Sequence, residues 1–138
     1  MEKDLLTLVM PLVEGEYRVI KDANHRAIIG YSMGGGQASS IGLGHPELFS
    51  YVGMYSGGGG GANLAGIADP AKANQTYKWI WIGVGGDDTT ALNGSRNADA
   101  QLTQRGVNHY YVELPGYHHD YQVWRLFLAA NLPVLFRD

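Results

Sequence analysis

The sequence predicts an α/β protein, a mostly parallel sheet with flanking helices, in a single domain over residues 1–138. Three observations carry that reading. Short apolar runs rich in β-branched and aromatic residues recur along the chain, helix-length segments separate them, and 45% of the 138 residues are hydrophobic, enough for one packed core. Strands joined by helix-length segments imply β-α-β crossovers, which build parallel sheets covered by helices on both faces. Neither an internal repeat nor an interdomain linker interrupts the pattern.

Near the N-terminus Leu5, Leu6, Val9, Leu12 and Val13 recur at helical spacing, and Pro11 is expected to kink that helix or to start a new one. A polar turn from Lys21 to His25 leads into Ala27-Ile28-Ile29-Gly30-Tyr31, which fits a strand buried on both faces. Met33 to Gly44 contains Gly35, Gly36, Ala38 and Gly42, poor helix formers that nevertheless let a helix lie very close to a sheet, and His45-Pro46 ends it. Tyr51 to Tyr55 reads as a second buried strand. The glycine run Gly57 to Gly61 follows it directly and reads as a flexible loop. Lys78 to Val84 is the third strand, Ala91 to Arg105 a helix closed by Gly106, and Tyr110 to Leu114 the fourth strand. A last helix is expected to begin near Tyr121, with Val123, Leu126, Phe127 and Ala130 on its inner face.

Composition narrows the function classes. The formal net charge is −3 with both signs mixed along the chain, so no basic stripe follows a phosphate backbone and no polybasic cluster holds an anionic membrane. Nucleic acid and membranes are therefore not expected partners. The absence of Cys excludes disulfides, thiolate zinc sites and a Cys nucleophile. No apolar run approaches the roughly 20 residues that span a bilayer, and Met1-Glu2-Lys3-Asp4 does not read as a signal peptide.

The chemistry is concentrated at Gly30-Tyr31-Ser32-Met33-Gly34, a G-x-S-x-G pattern that occurs after an apolar strand and before a small-residue helix. A Ser hydroxyl is a weak nucleophile at neutral pH, so acyl transfer needs a base beside it and donors aimed at the developing oxyanion. A sharp strand-to-helix turn pushes the Ser32 oxygen outward, and Gly30 and Gly34 are expected to relieve the crowding that side chains would cause there. The Met33 N–H, at the positive end of the helix, is the expected oxyanion donor. A His base oriented by a carboxylate should follow later in the chain, beyond the carboxyl ends of strands. Asp87 and Asp88 follow the third strand, and His118 and His119 follow the fourth. The order Ser, Asp, His is the one this kind of turn requires. A metal centre built from His118, His119, Asp120, Asp87 and Asp88 is disfavoured, because adjacent side chains rarely converge on one ion and no H-E-x-x-H spacing exists. No metal or cofactor is expected.

Several segments resemble one family, the Putative esterase branch of the α/β-hydrolases, which includes feruloyl, acetyl xylan and enterochelin-type esterases, S-formylglutathione hydrolase and the mycolyltransferases. Asn24 to Ala38 is similar to that family's elbow segment, and His45-Pro46-Glu47-Leu48-Phe49 to the segment after its helix. Trp81 to Asp88 resembles a strand ending in a Gly-x-x-Asp turn, which selects Asp88 as the acid. His119-Asp120-Tyr121-Gln122-Val123-Trp124 resembles its His-x-x-x-x-Trp segment, which selects His119 as the base, with Gly116 at the preceding turn. The resemblance implies a serine esterase with Ser32, Asp88 and His119 as a triad, nearest to the feruloyl and xylan esterases, acting on aryl or acetyl esters of plant-wall sugars.

Family members carry a comparable stretch before the elbow, holding the first strands of the sheet and a second oxyanion donor. This chain therefore reads as a truncated α/β-hydrolase fold, the C-terminal portion of such an enzyme. Two expectations follow from that reading: low activity for the chain alone, since losing one oxyanion donor costs about 10²–10³ in rate, and an elbow strand with an open edge that favours a homo-oligomer. Two alternatives to ester hydrolysis stay open at this point, a catalytically weak fragment whose main property is association and an acyltransferase that uses an alcohol in place of water.

Overall fold

Four parallel strands form one sheet in the order β1-β2-β3-β4, with β1 at Ala27–Tyr31, β2 at Tyr51–Tyr55, β3 at Trp79–Gly85 and β4 at Tyr110–Leu114. The computed structural model describes residues 1–57, 64 and 67–137. Most of the glycine run, Gly58 to Gly61, lies outside the described residues, and so does its reading as a loop.

Alternation along the strands sorts the core into two layers. Val52, Met54, Ile80 and Ile82 pack with Leu43 of α3 (Met33–Gly44) and with Ala98 and Leu102 of α5 (Leu92–Gln104). Tyr51, Tyr55, Trp79 and Trp81 pack on the opposite face with Val123, Trp124 and Phe127 of α6 (Tyr121–Asn131). Helices thus cover both faces, as the strand-and-helix alternation in sequence implies. Asn131 at the end of α6 donates to the Tyr55 hydroxyl at 3.0 Å and fixes that helix across the sheet.

The elbow strand departs from the burial on both faces that its apolar pattern predicts, and it lies at a sheet edge, as expected from the family resemblance. Residues Ala27 to Gly30 are half-buried and Tyr31 is exposed, whereas every residue of β2 and β3 is buried. The reason is position: β1 is an edge strand whose one partner among the described residues is β2, so its pattern of apolar residues lacks a neighbour on the other side.

The N-terminal helix also departs from regularity where Pro11 requires it. A helical run of α1 (Glu2–Asp4), a π-helical turn (Leu5–Val9) and α2 (Met10–Glu16) places Pro11 in the first turn of α2. A proline ring crowds the carbonyl four residues back and offers no N–H to it, and the widened turn absorbs that conflict. None of these helical residues is buried. Polar ties hold the run instead: Arg26 donates to Glu14 at 2.6 and 3.0 Å, and the His45 ring lies between Glu2 and Glu47 at 2.9 and 3.0 Å. Those two carboxylates raise the His45 pKa above its ordinary value. One short helix had no counterpart in the hydrophobic pattern. α4 (Pro70–Thr76) is set by Asp69, whose Oδ1 accepts from the Ala71 and Lys72 N–H groups, with Pro70 at the first helical position.

Close approach of α3 to the sheet explains its small residues. A Cβ on Gly42 would lie 2.6 Å from Ile28 Cγ2 and 2.7 Å from Val52 Cγ2, and one on Gly35 would lie 2.8 Å from Gly57 Cα. At the elbow a Cβ on Gly30 would lie 2.1 Å from the Gly34 carbonyl oxygen, while one on Gly34 meets no described atom within 4 Å. The expectation that both elbow glycines relieve a clash therefore holds at Gly30 and fails at Gly34, whose side chain position points into open space. Gly30→Ala should lower stability by about 1–3 kcal/mol, the usual cost of forcing a methyl into a packed region. Gly34→Ala should leave it unchanged or raise it by up to about 1 kcal/mol through helix propensity. Urea unfolding of both variants checks this, and equal losses would contradict it.

Candidate active site

Ser32 directly follows β1 and caps α3 with φ 52° and ψ −126°, a left-handed conformation that a residue with a side chain adopts only under constraint. Its N–H donates to the Tyr55 carbonyl at 2.8 Å, and its own carbonyl accepts from the Gly35 and Gly36 N–H groups at 3.0 and 3.3 Å. The backbone is thus pinned on both sides and the Oγ projects from the strand end. Met33 follows as the first residue of α3, and its N–H donates to no described residue.

Asp88 lies in the turn after β3 and is fully buried. Its N–H donates to the Gly85 carbonyl at 3.1 Å, and its Oδ1 accepts from the Thr90 and Ala91 N–H groups at 3.0 and 2.9 Å. Oδ2 is left for His119. Burial pushes the Asp88 carboxyl up, yet hydrogen bonds from His119 and Ala91 outweigh it and hold the group below its ordinary value. The neighbouring Ser56 hydroxyl also contributes, although it completes no full hydrogen bond among the described residues.

His119 stands in the loop between β4 and α6. That loop turns at Gly116, with φ +78°, and is tied to the β3 turn by the Gly86 N–H on the Leu114 carbonyl at 2.7 Å and the Asp87 N–H on the Tyr117 carbonyl at 2.9 Å. His119 Nδ1 lies 2.8 Å from Asp88 Oδ2, and Nε2 lies 2.8 Å from Ser32 Oγ. An ionised carboxylate only accepts, so Nδ1 carries the proton and donates to Asp88, leaving Nε2 to accept from the Ser32 hydroxyl. Three side chains from three separate loops therefore form one continuous hydrogen-bonded line. Such a line can move the Ser hydroxyl proton onto the imidazole while a buried anion stabilises the cation that results.

The neighbours of these residues take other roles. Asp87 and His118 are exposed, and the His118 Nδ1 lies 3.2 Å from the Asp87 carbonyl, so the pair joins the two loops at their outer side. Asp120 caps α6, its Oδ1 accepting from the Gln122 and Val123 N–H groups at 2.9 and 3.2 Å. Among the described residues no three His, Asp or Glu side chains are placed to hold a metal ion, and no helix is long and apolar enough to cross a membrane. An aromatic pair to which motif reading gave no role flanks the site: Trp124 stacks on Tyr31 with ring centroids 4.5 Å apart and meets the His119 ring edge-on at 5.0 Å. Beside Tyr31 and Trp124, on the α6 face of β1, opens a cavity of about 940 Å³ that Ser32, Asp88 and His119 do not line.

Comparison with known proteins places the chain in a family. The profile of the Putative esterase family matches residues 2–135. An Endo-1,4-beta-xylanase/feruloyl esterase of Xylanibacter ruminicola is 28% identical over 136 residues, 99% of this chain and 18% of that protein. Among solved structures, a ferulic acid esterase of Anaeromyces mucronatus in complex with ferulic acid superposes with a TM-score of 0.83 at 22% identity, over 98% of this chain and 53% of that one. An S-formylglutathione hydrolase of Staphylococcus aureus superposes with a TM-score of 0.77 at 17% identity, over 97% of this chain and 60% of that one. The chain spans about half the length of these solved structures and under a fifth of the Xylanibacter ruminicola protein. From the profile match over nearly its whole length, and with the parallel sheet and strand-end site just described, the chain belongs to the Putative esterase family and has an α/β-hydrolase architecture.

Proposed function

We propose that the chain is a serine carboxylic-ester hydrolase working through an acyl-enzyme on Ser32. The observation that carries this is the unbroken line from Ser32 Oγ through His119 to the buried Asp88 carboxylate, with 2.8 Å at each step. As Ser32 Oγ attacks the ester carbonyl carbon, its proton passes to His119 Nε2. The Asp88 carboxylate stabilises the imidazolium, and the Met33 N–H donates to the oxygen that becomes negative. Collapse of the tetrahedral intermediate breaks the ester C–O bond, and His119 returns the proton to the departing alcohol. Water then gives a proton to His119, attacks the acyl carbon and releases the acid, and Ser32 recovers its proton. Feruloyl or acetyl esters of plant-wall carbohydrate are the proposed substrates; the names of the Xylanibacter ruminicola and Anaeromyces mucronatus relatives support the feruloyl esters, and the acetyl esters rest on the family resemblance alone.

A second reading, association, is favoured by one feature. The open edge of β1 carries the exposed Tyr31 and the 940 Å³ cavity, and the exposed apolar side chains of Val9, Val13 and Ile20 line a second cavity with Ala27 and Ile28 of the same strand. A parallel sheet edge with apolar surroundings is a template for pairing. We propose that this edge joins a second copy of the chain.

Two measurements test these readings. A fluorophosphonate probe should label wild-type protein at Ser32, fail on Ser32→Ala, and react more slowly with Asp88→Asn by as much as ~10⁴-fold, the loss seen when a triad acid cannot hold the right tautomer. Labelling that survives Ser32→Ala would overturn the assignment. Light scattering at micromolar concentration should give the mass of a dimer or larger assembly, and a monodisperse monomer would remove the association reading.

A further inference from the structure

His119 and Trp124 occupy a recurrent pair of positions at a helix start. Asp120 is the N-cap of α6, extended at φ −146° and ψ 168° with its carboxylate on the first-turn N–H groups. His119 is therefore the residue before the cap and Trp124 the fourth residue of the helix, the two positions whose side chains close over a helix start as a staple. Here the rings meet with centroids 5.0 Å apart and planes at 89°. The five-residue spacing of the His-x-x-x-x-Trp segment is thus the spacing of a capped and stapled helix, with the triad histidine as one half of the staple.

Trp124 carries a second set of contacts. Its ring stacks on Tyr31 at 4.5 Å and 21° and meets Tyr121 at 5.1 Å and 78°, and it is 8% exposed. Its Nε1 makes no hydrogen bond among the described residues, so ring packing sets its orientation. Tyr31 is the peptide neighbour of Ser32. The stack consequently joins the strand end that carries the Ser to the helix start that carries the His.

We propose that Trp124 is a positioning residue for His119: the staple fixes the plane of the imidazole, and the Tyr31 stack fixes that plane relative to Ser32. This rests on the triad reading given above. The need for it is geometric. His119 must satisfy Asp88 on one nitrogen and Ser32 on the other, and rotation about its Cβ–Cγ bond, a broad torsion, breaks both bonds together. Its side chain is 25% exposed, so solvent leaves one side free, and Trp124 packs against the ring to restrict that rotation. Edge-to-face aromatic contact has a directional preference that an aliphatic side chain lacks.

The test compares Trp124→Leu, Trp124→Phe and Tyr31→Leu with wild type by three readouts: the fluorophosphonate labelling rate at Ser32, kcat and KM for an aryl acetate, and the downfield NMR proton of His119 Nδ1–H bonded to Asp88. Trp124→Leu should lower the labelling rate and kcat by about 10- to 100-fold with KM unchanged, the scale of a small misplacement of a reacting group. It should also broaden or remove the downfield signal. Trp124→Phe should restore most of each, and Tyr31→Leu should give a smaller loss in the same direction. Folded Trp124→Leu with an unchanged downfield signal and labelling within about twofold of wild type overturns the proposal. If far-UV circular dichroism shows Trp124→Leu unfolded, the half-exposed Tyr31 site decides, and wild-type values in Tyr31→Leu count against the clamp. If wild type and Ser32→Ala alike fail to label, the triad reading falls. The NMR signal still judges the clamp, for which its loss in Trp124→Leu is support and its persistence is refutation.

Discussion

Ser32 holds a backbone conformation that costs on the order of 1–3 kcal/mol for a residue with a side chain, and the local fold is arranged around keeping it there. The turn needs the Gly30 Cα almost against the Gly34 carbonyl, which only a missing Cβ allows. It also needs α3 to leave the sheet at once and lie low over β1 and β2, which Gly35 and Gly42 permit. Hydrogen bonds from Ser32 N–H to Tyr55 and from Gly35 and Gly36 to the Ser32 carbonyl then hold the strained residue between strand and helix. Substitution at Gly30 is felt at Ser32 because the strain is balanced by packing rather than by the Ser side chain itself.

The other two members of the line are held by different means. Asp88 is fixed by complete burial, made tolerable because its oxygens accept from two backbone N–H groups and from His119. A buried carboxylate with fewer donors would take up a proton and lose its function as an anion. His119 is fixed by its loop, which is bonded to the β3 turn through Gly86, Asp87 and His118, and by the capped start of α6. The sheet sets the common frame, since β1, β3 and β4 run parallel and deliver their carboxyl ends, and the loops beyond them, to one edge.

Much of this was legible in the sequence because the signals were local. Four apolar runs gave four strands within a residue or two of their ends, and the elbow pattern with later Asp and His pairs marked the site. Choosing Asp88 over Asp87 and His119 over His118 needed resemblance, because neighbouring residues in a loop have no periodicity to say which one turns inward. Structure brings Asp88 and His119 together through burial of the first and Nδ1 contact between them. What the sequence hid was non-local. The apolar pattern of β1 by itself reads as a strand buried on both faces, and only the family resemblance points to its open edge, because neighbours decide burial. Gly34 matches a motif without meeting the crowding that motif usually implies. The Trp124 stack on Tyr31 joins residues 93 positions apart in the numbering, so no window along the chain reveals it.

In the proposed reaction Ser32 becomes covalently acylated by an ester, and His119 makes this possible. The most direct measurement is peptide mass spectrometry after acid quench of the protein mixed with p-nitrophenyl acetate or a feruloyl aryl ester. One acyl group is expected on the peptide containing Ser32, formed within the first turnover and absent in His119→Ala. Ester cleavage with no acyl group on Ser32, or acylation undiminished in His119→Ala, would contradict the proposed reaction.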